Sequence, residues 1–345
     1  MRAKLGAAID RLALRAMERV YLLGRRPSRR RPSGSQRLAF ELYSDPALVA
    51  DPDRAFPLPP PAERATRRVV REVDGGRVES IRFPSDHATL DSARQAEYDA
   101  DVENRTVHVR ALLHAEPRPA VICLHAWMSG RPAIDARVLE ARLLHEKRGL
   151  DVYLMTMPFH GARAPRRAPV GGTLFPSTSV MRTAEGFRQA VADARRLRAL
   201  ALEAGSASVG LVGMSLGGYT VALLSGLDAR WSFAIPIIPM VSMADTLWDH
   251  GEGRPERAAA EEQGVTRETL RAAFAMHCPL SHPLKLPRSR VAIVAGRGDR
   301  VCPREHVERL WEHWGRPELS WFAGGHILQL GRSGAVARAL AAVLL

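Results

Sequence analysis

Val212–Gly218 reads VGMSLGG and sets one serine between two glycines, at the end of a run of small and branched apolar residues. Upstream, SVGLVGMS (208–215) is a short unbroken apolar run, the pattern of a strand buried on both faces. Downstream, residues 216–227 carry a helical pattern. Ser215 therefore falls between a strand and a helix, inside Gly213-x-Ser215-x-Gly217. A strand that turns sharply into a helix presents a serine hydroxyl at the carboxyl edge of a sheet, and small neighbours let other backbone approach it. Alone, such a pentapeptide is a weak pattern, because glycine and serine are common in turns. In this setting it specifies a nucleophile elbow.

Other apolar runs share the style of 208–215. PAVICLHA (119–126), DVYLMTMP (151–158), FAIPIIPMVS (233–242), RVAIVAGRGD (290–299) and ELSWFAGG (318–325) all read as strands. Helical patterns at 133–149, 181–205, 303–315 and 332–345 fall between or after them. RVESIRFPS (77–85) and RTVHVRALLHA (105–115) alternate instead, as half-buried antiparallel strands do. The expected fold is α/β: a doubly wound, mostly parallel sheet of about eight strands, with helices on both faces. Residues 244–285 break the rhythm with polar helical segments and read as a small cap. The chain divides into a basic extension, residues 1–67, and a main domain, residues 68–345.

Serine is a poor nucleophile without a base and an orienting acid, which this type of fold delivers in the order Ser, Asp or Glu, His. Asp299 follows the run RVAIVAG, and His326 follows ELSWFAGG. Both fall at strand ends in the required order, so Ser215, Asp299 and His326 form the candidate triad. Asp245, after FAIPIIPMVS, is the alternative acid. Two backbone amides must then hold the oxyanion: Leu216, directly after the nucleophile, and Trp127, in the loop CLHAWMSG (123–130). His125 reads as a brace of that loop rather than a base. With Met128, Phe159, His160 and Met214 it completes the candidate substrate pocket. His277 and His282 read as loop residues beside the cap.

From about residue 77 onward these motifs resemble the α/β-hydrolases, especially the dienelactone-hydrolase-like and acetyl-xylan-esterase-like branch. The matching pieces are LHAW in the oxyanion loop, MPFHG after the next strand, GMSLGG at the elbow, AGRGDRVCP at the acid turn and GGHI at the histidine turn. The resemblance implies a serine-dependent acyl hydrolase. One departure is Ala126, where the family usually has glycine.

The first 40 residues hold eleven Lys or Arg against Asp10 and Glu18, which is +9 of the chain's net +13. The main domain is therefore only mildly basic, and no nucleic-acid partner is expected. Residues 1–22 read as an amphipathic helix, with Leu5, Ile9, Leu12, Ala16 and Val20 on one face and Arg11, Arg15 and Arg19 on another. It can dock on its own protein, or residues 1–37 can contact an anionic membrane surface. GRRPSRRRPSGSQR (24–37) reads as a basic linker and DPDRAFPLPPPAERA (51–65) as a proline-rich connector without a core pattern.

No run reaches the roughly 18 apolar residues of a membrane span, and charges interrupt residues 1–24 where a secretory signal needs an apolar stretch. Cys123, Cys278 and Cys302 match no zinc spacing and read as reduced, which places the protein in the cytoplasm or peripherally on a membrane. The elbow lacks the lysine of a phosphate loop, and no metal or other cofactor is expected. The sequence thus predicts an acyl hydrolase acting on a small-molecule or lipid ester. A fold retained for binding alone, without catalysis, is the competing reading.

Overall fold

The computed structural model describes residues 2–22, 34–168, 170–177 and 179–344, with the backbone alone described for 16–22, 34–37 and 256. Most of the expected linker 24–37 lies outside the described residues. In chain order the elements used below are α1 (Arg2–Leu22), α2 (Gly34–Tyr43), β1 (Thr66–Val73), β2 (Gly76–Pro84), β3 (Thr106–His114), β4 (Ala120–Leu124), α3 (Pro132–Val138) and β5 (Asp151–Met155). They continue with α4 (Val180–Glu203), β6 (Val209–Met214), α5 (Leu216–Leu227), β7 (Ala234–Ile237), α6 (Met243–His250), α7 (Pro255–Glu262) and α8 (Arg267–Phe274). The last are β8 (Ala292–Gly296), α9 (Arg304–His313), β9 (Glu318–Phe322) and α10 (Arg332–Val343).

Nine strands form one sheet in the order β1-β2-β3-β5-β4-β6-β7-β8-β9. β1, β2, β3 and β5 pair antiparallel in turn, and every pair from β5 to β9 is parallel. Side chains of the parallel strands alternate between two cores. Ile122 and Leu124 of β4, with Ile293 and Ala295 of β8, pack under α4 and α5. Val121 and Cys123, with Ala292 and Val294, face α10 and the segment around Leu139 and Leu144. Both faces are covered, which explains the unbroken apolar runs.

The structure revises several boundaries. The sheet has nine strands rather than eight. The additional one is β1, TRRVVREV, whose side chains are almost all exposed. An arginine-rich edge strand has no buried face to mark it, and its charge discourages edge-to-edge pairing. The run at 233–242 is strand only over Ala234–Ile237, because Ile238 turns to φ 39 and Pro239 has no amide to donate. The expected helix 133–149 is broken: α3 ends at Val138, Glu140 adopts φ 56 with its carboxylate accepting from Arg332 and Ser333, and the chain winds helically again over Leu143–Lys147.

Residues 34–56 belong to the main core. Tyr43, Leu48, Ala55 and Phe56 are buried in the cluster that contains α4, and Arg188 and Arg195 donate to the carbonyls of Ala55 and Phe56. Too few apolar residues lie among these prolines and charges to form a periodic pattern. The 244–285 region, expected as a cap, carries α6, α7 and α8. Among the described residues no helix is long and apolar enough to cross a membrane.

Candidate active site

β6 delivers Ser215 to the carboxyl edge of the sheet. Its backbone sits at φ 55, ψ −110, a conformation that L-residues rarely adopt and that surrounding structure must hold. The Ser215 amide donates to Ile237 O at 2.9 Å, and its carbonyl accepts the first helical bond, from Tyr219 N, at 2.8 Å. The flanking glycines answer a steric demand. A Cβ on Gly213 would stand 2.3 Å from Gly217 O, and one on Gly217 would stand 2.1 Å from Leu124 O.

His326 and Asp299 converge on this elbow from the turns after β9 and β8. His326 Nε2 lies 3.0 Å from Ser215 Oγ, and His326 Nδ1 lies 2.9 Å from Asp299 Oδ2. The other Asp299 oxygen accepts from the amides of Val301 and Cys302 at 2.9 and 2.7 Å. That grip leaves Oδ2 facing the ring. Ser215 is 6% exposed and His326 7%, so both side chains are largely shielded from water. Burial alone would push the His326 imidazole down. The Asp299 carboxylate reverses this and holds it well above the ordinary histidine value.

Leu216 supplies the first amide of α5, for which the helix itself offers no acceptor, and the positive end of the helix dipole lies there. The loop after β4 is pinned from several sides. Trp127 Nε1 donates to Gly172 O at 2.8 Å, Met128 stands at φ 60, and Ser129 and Asp135 are hydrogen-bonded. His125 braces this loop as expected: Nδ1 bonds to Ala126 O at 2.8 Å and Nε2 accepts from Met157 N at 3.0 Å. Both nitrogens are engaged, and burial lowers the imidazole's affinity for a proton, so it is held neutral.

The remaining expected pocket residues divide. Met128 is half-buried on the oxyanion loop. Phe159 is instead a core residue, with its ring edge-on to Tyr98 and its amide donating to Asn104. His160 is fully buried and bonds through Nδ1 to Pro158 O at 2.8 Å; burial and the neighbouring His125 push it down to about 3. Met214 turns its sulfur to Gln329, 3.5 Å away, behind the histidine turn. Strand-edge position alone does not decide which way a side chain points, and that is why these three were misplaced. Asp245 is not the acid. It accepts from Arg271 at 2.7 Å and Arg309 at 2.9 Å and pairs with Arg267. Burial opposes its charge, but the Arg309 and Arg271 hydrogen bonds prevail and hold it below its ordinary range. His277 and His282 brace Tyr219 OH and Met276 O.

Three residues beside the candidate triad escaped the sequence reading. Cys302 lies with Asp299 and His326 so that one donor atom of each falls within 4.8 Å of the others. The trio is no metal site, because Nδ1 and Nε2 of His326 are committed to Asp299 and Ser215. His250, at the end of α6, feels the charges of Asp299 and His326, and burial lowers its imidazole. Asp10, on α1, is fully buried and accepts from the amides of Arg300, His326 and Ile327. A second donor cluster, His114, His145 and Asp151, lies at the opposite end of the strands. Its two ring centroids lie 3.9 Å apart at 30°, and both Nδ1 atoms are engaged, that of His114 by Asp151 Oδ1 at 2.9 Å and that of His145 by the Leu150 carbonyl at 3.1 Å.

A mostly parallel sheet with a serine elbow and with Asp and His turns after its later strands defines the α/β-hydrolase fold, and this chain has that fold. Acetyl xylan esterase 1 from Thermoanaerobacterium sp. JW/SL YS485 superposes with a TM-score of 0.58 at 15% identity, covering 89% of this chain and 94% of that one. The acetyl xylan esterase from Paenibacillus sp. R4 gives 0.56 at 17% identity, with the same coverage. No protein-family model matches. Two Mycobacterium tuberculosis proteins, the uncharacterized proteins Rv2627c (strain H37Rv) and MT2702 (strain CDC 1551), are each 32% identical over 347 residues, covering 94% of this chain and 80% of theirs. The chain belongs to the family of these mycobacterial proteins.

Proposed function

We propose that the protein is a serine hydrolase that cleaves a carboxylic ester or related acyl bond through an acyl-enzyme. The observation that carries this reading is the unbroken chain Ser215 Oγ–His326 Nε2 at 3.0 Å and His326 Nδ1–Asp299 Oδ2 at 2.9 Å. As Ser215 Oγ attacks the acyl carbon, His326 Nε2 takes its proton and Asp299 stabilises the imidazolium. The amides of Leu216 and Trp127 receive the oxyanion. Collapse of the tetrahedral species expels the leaving alcohol, which takes the proton from His326. A water deprotonated by His326 then attacks the acyl-enzyme, and loss of the acid returns the proton to Ser215. The fold sets no acyl length.

A fluorophosphonate probe should modify Ser215 in the folded protein, and short p-nitrophenyl esters should turn over. Ser215→Ala should abolish labelling and lower kcat by about 10⁴- to 10⁶-fold. A wild-type protein that neither labels nor turns over any ester rejects the reading in favour of binding alone.

A lipid substrate is favoured by the outer face of α1. Leu5 and Leu12 stand 50% and 65% exposed on a helix whose Arg2, Lys4, Arg11 and Arg15 are also exposed. An apolar strip flanked by cations suits an anionic membrane surface. Full-length protein should co-sediment with phosphatidylglycerol-containing liposomes, and Leu5→Asn/Leu12→Asn should release it without altering turnover of a water-soluble ester. Equal sedimentation of both proteins would remove the leucine face from the reading, and a wild-type protein that stays in the supernatant would remove the membrane.

A further inference from the structure

We infer that α1 is part of the catalytic frame and that Asp10 is a positioning residue, which fixes the acid turn and the histidine turn relative to each other. This rests on the hydrolase reading for its consequence in turnover but not for its geometry. Asp10 Oδ2 accepts from Arg300 N at 3.0 Å and from His326 N at 2.7 Å, while Oδ1 accepts from Ile327 N at 2.9 Å. Arg300 directly follows Asp299. One carboxyl group therefore ties the backbone of the residue after the acid to the backbone of the base itself.

The fit is built into both partners. A Cβ on Gly325 would lie 2.6 Å from Asp10 Oδ2, one on Gly6 would lie 2.4 Å from Gly325 N, and one on Gly298 would lie 2.3 Å from Ala3 O. Glycines on the helix, on the acid turn and on the histidine turn thus permit backbone-to-backbone contact. Gly6, Ala7 and Asp10 form the buried face, and Leu5 and Leu12 point away. Burial of a carboxyl group is costly unless its oxygens are satisfied, so this helix holds its place by satisfying all three amides at once. Catalytic groups must be held to about 0.5 Å, and a misplacement of about 1 Å costs about 100-fold in rate.

The decisive variant is Asp10→Asn. Whichever way the amide turns, its NH2 group meets at least one of the three backbone N–H donors. In the full-length protein kcat for p-nitrophenyl acetate should fall about 10- to 100-fold, with KM within about twofold. The low-field proton resonance of the His326 Nδ1–H···Asp299 hydrogen bond should be lost or shifted, and the melting temperature should still show a folded protein. Gly6→Ala is the second variant. Alanine favours the helix itself while its methyl blocks docking, so the same loss of kcat there cannot come from an unfolded α1. Unchanged kcat and an unchanged low-field proton in both variants would overturn the inference. So would a lowered melting temperature accompanied by wild-type values of both. A wild-type protein that shows the low-field proton but no turnover would reject the hydrolase reading, and the resonance would still judge the role of Asp10.

Discussion

Asp299 divides its two oxygens between different tasks. Oδ1 is held by the Val301 and Cys302 amides, and Oδ2 faces His326 Nδ1. This fixes both the ring's orientation and its tautomer, with Nε2 left to receive a proton from Ser215. It also fixes the pH response. A base works only while neutral, so activity is lost as pH falls through the His326 pKa. Asp299 raises that pKa above the ordinary histidine value of about 6.5. The acid limb of kcat/KM should therefore have its midpoint above about 6.5. Asp299→Asn should move the midpoint down and lower kcat by about 10⁴-fold. A midpoint unmoved by the substitution would mean that another group sets the imidazole.

Individual elements differed in how well the sequence marked them. The parallel strands were plain, because burial on both faces leaves unbroken apolar runs. Once they were placed, the glycine-flanked elbow marked Ser215, and chain order with strand ends marked Asp299 and His326, the three side chains that the structure brings together. The helix α4 was placed correctly, but its buried charge was not legible: Asp193 pairs at 2.8 Å with Arg163 from the turn after β5, with no exposure of either side chain, and nothing local distinguishes them from solvated residues. α1 was legible as a helix, but the face by which it docks was not. Its leucine stripe drew attention, whereas docking uses Gly6, Ala7 and Asp10, a small-residue face with one acid. Asp10's partners lie 290 to 317 positions away. A small-residue face at three- and four-residue spacing, carrying a carboxylate in a basic helix, was the available signal.

At the scale of the whole molecule, distant segments meet at Glu185 on α4. Tyr43 OH from α2 donates to Oε1 at 2.6 Å, His87 Nε2 bonds to Oε2 at 2.8 Å, the Leu90 amide donates to Oε1 at 2.9 Å, and Arg188 pairs with the carboxylate. This node joins the N-terminal residues to the sheet domain and makes acid a common solvent for both. Burial would raise the Glu185 carboxyl, but the His87 hydrogen bond, the Arg188 charge and the Tyr43 hydroxyl overturn that and bring it from 4.5 to about 2. A carboxyl depressed by folding adds stability above its unfolded pKa, and that stability is lost as pH falls through the folded value. The window is pH 4.5 to 2, and the amount at stake is about 3 kcal/mol. Two buried imidazoles, His160 and His277, act earlier, each pushed from 6.5 down to about 3. The unfolded chain binds their protons first, so stability should begin to fall below pH 6.5. Urea unfolding at pH 7, 5 and 3.5 should show a continuous loss. Glu185→Gln, less stable at neutral pH, should keep the imidazole-driven decline, which runs from pH 6.5 to about 3, and lose only the extra slope that Glu185 adds below 4.5. If both proteins lose stability in parallel below pH 4.5, the node at Glu185 does not govern acid unfolding.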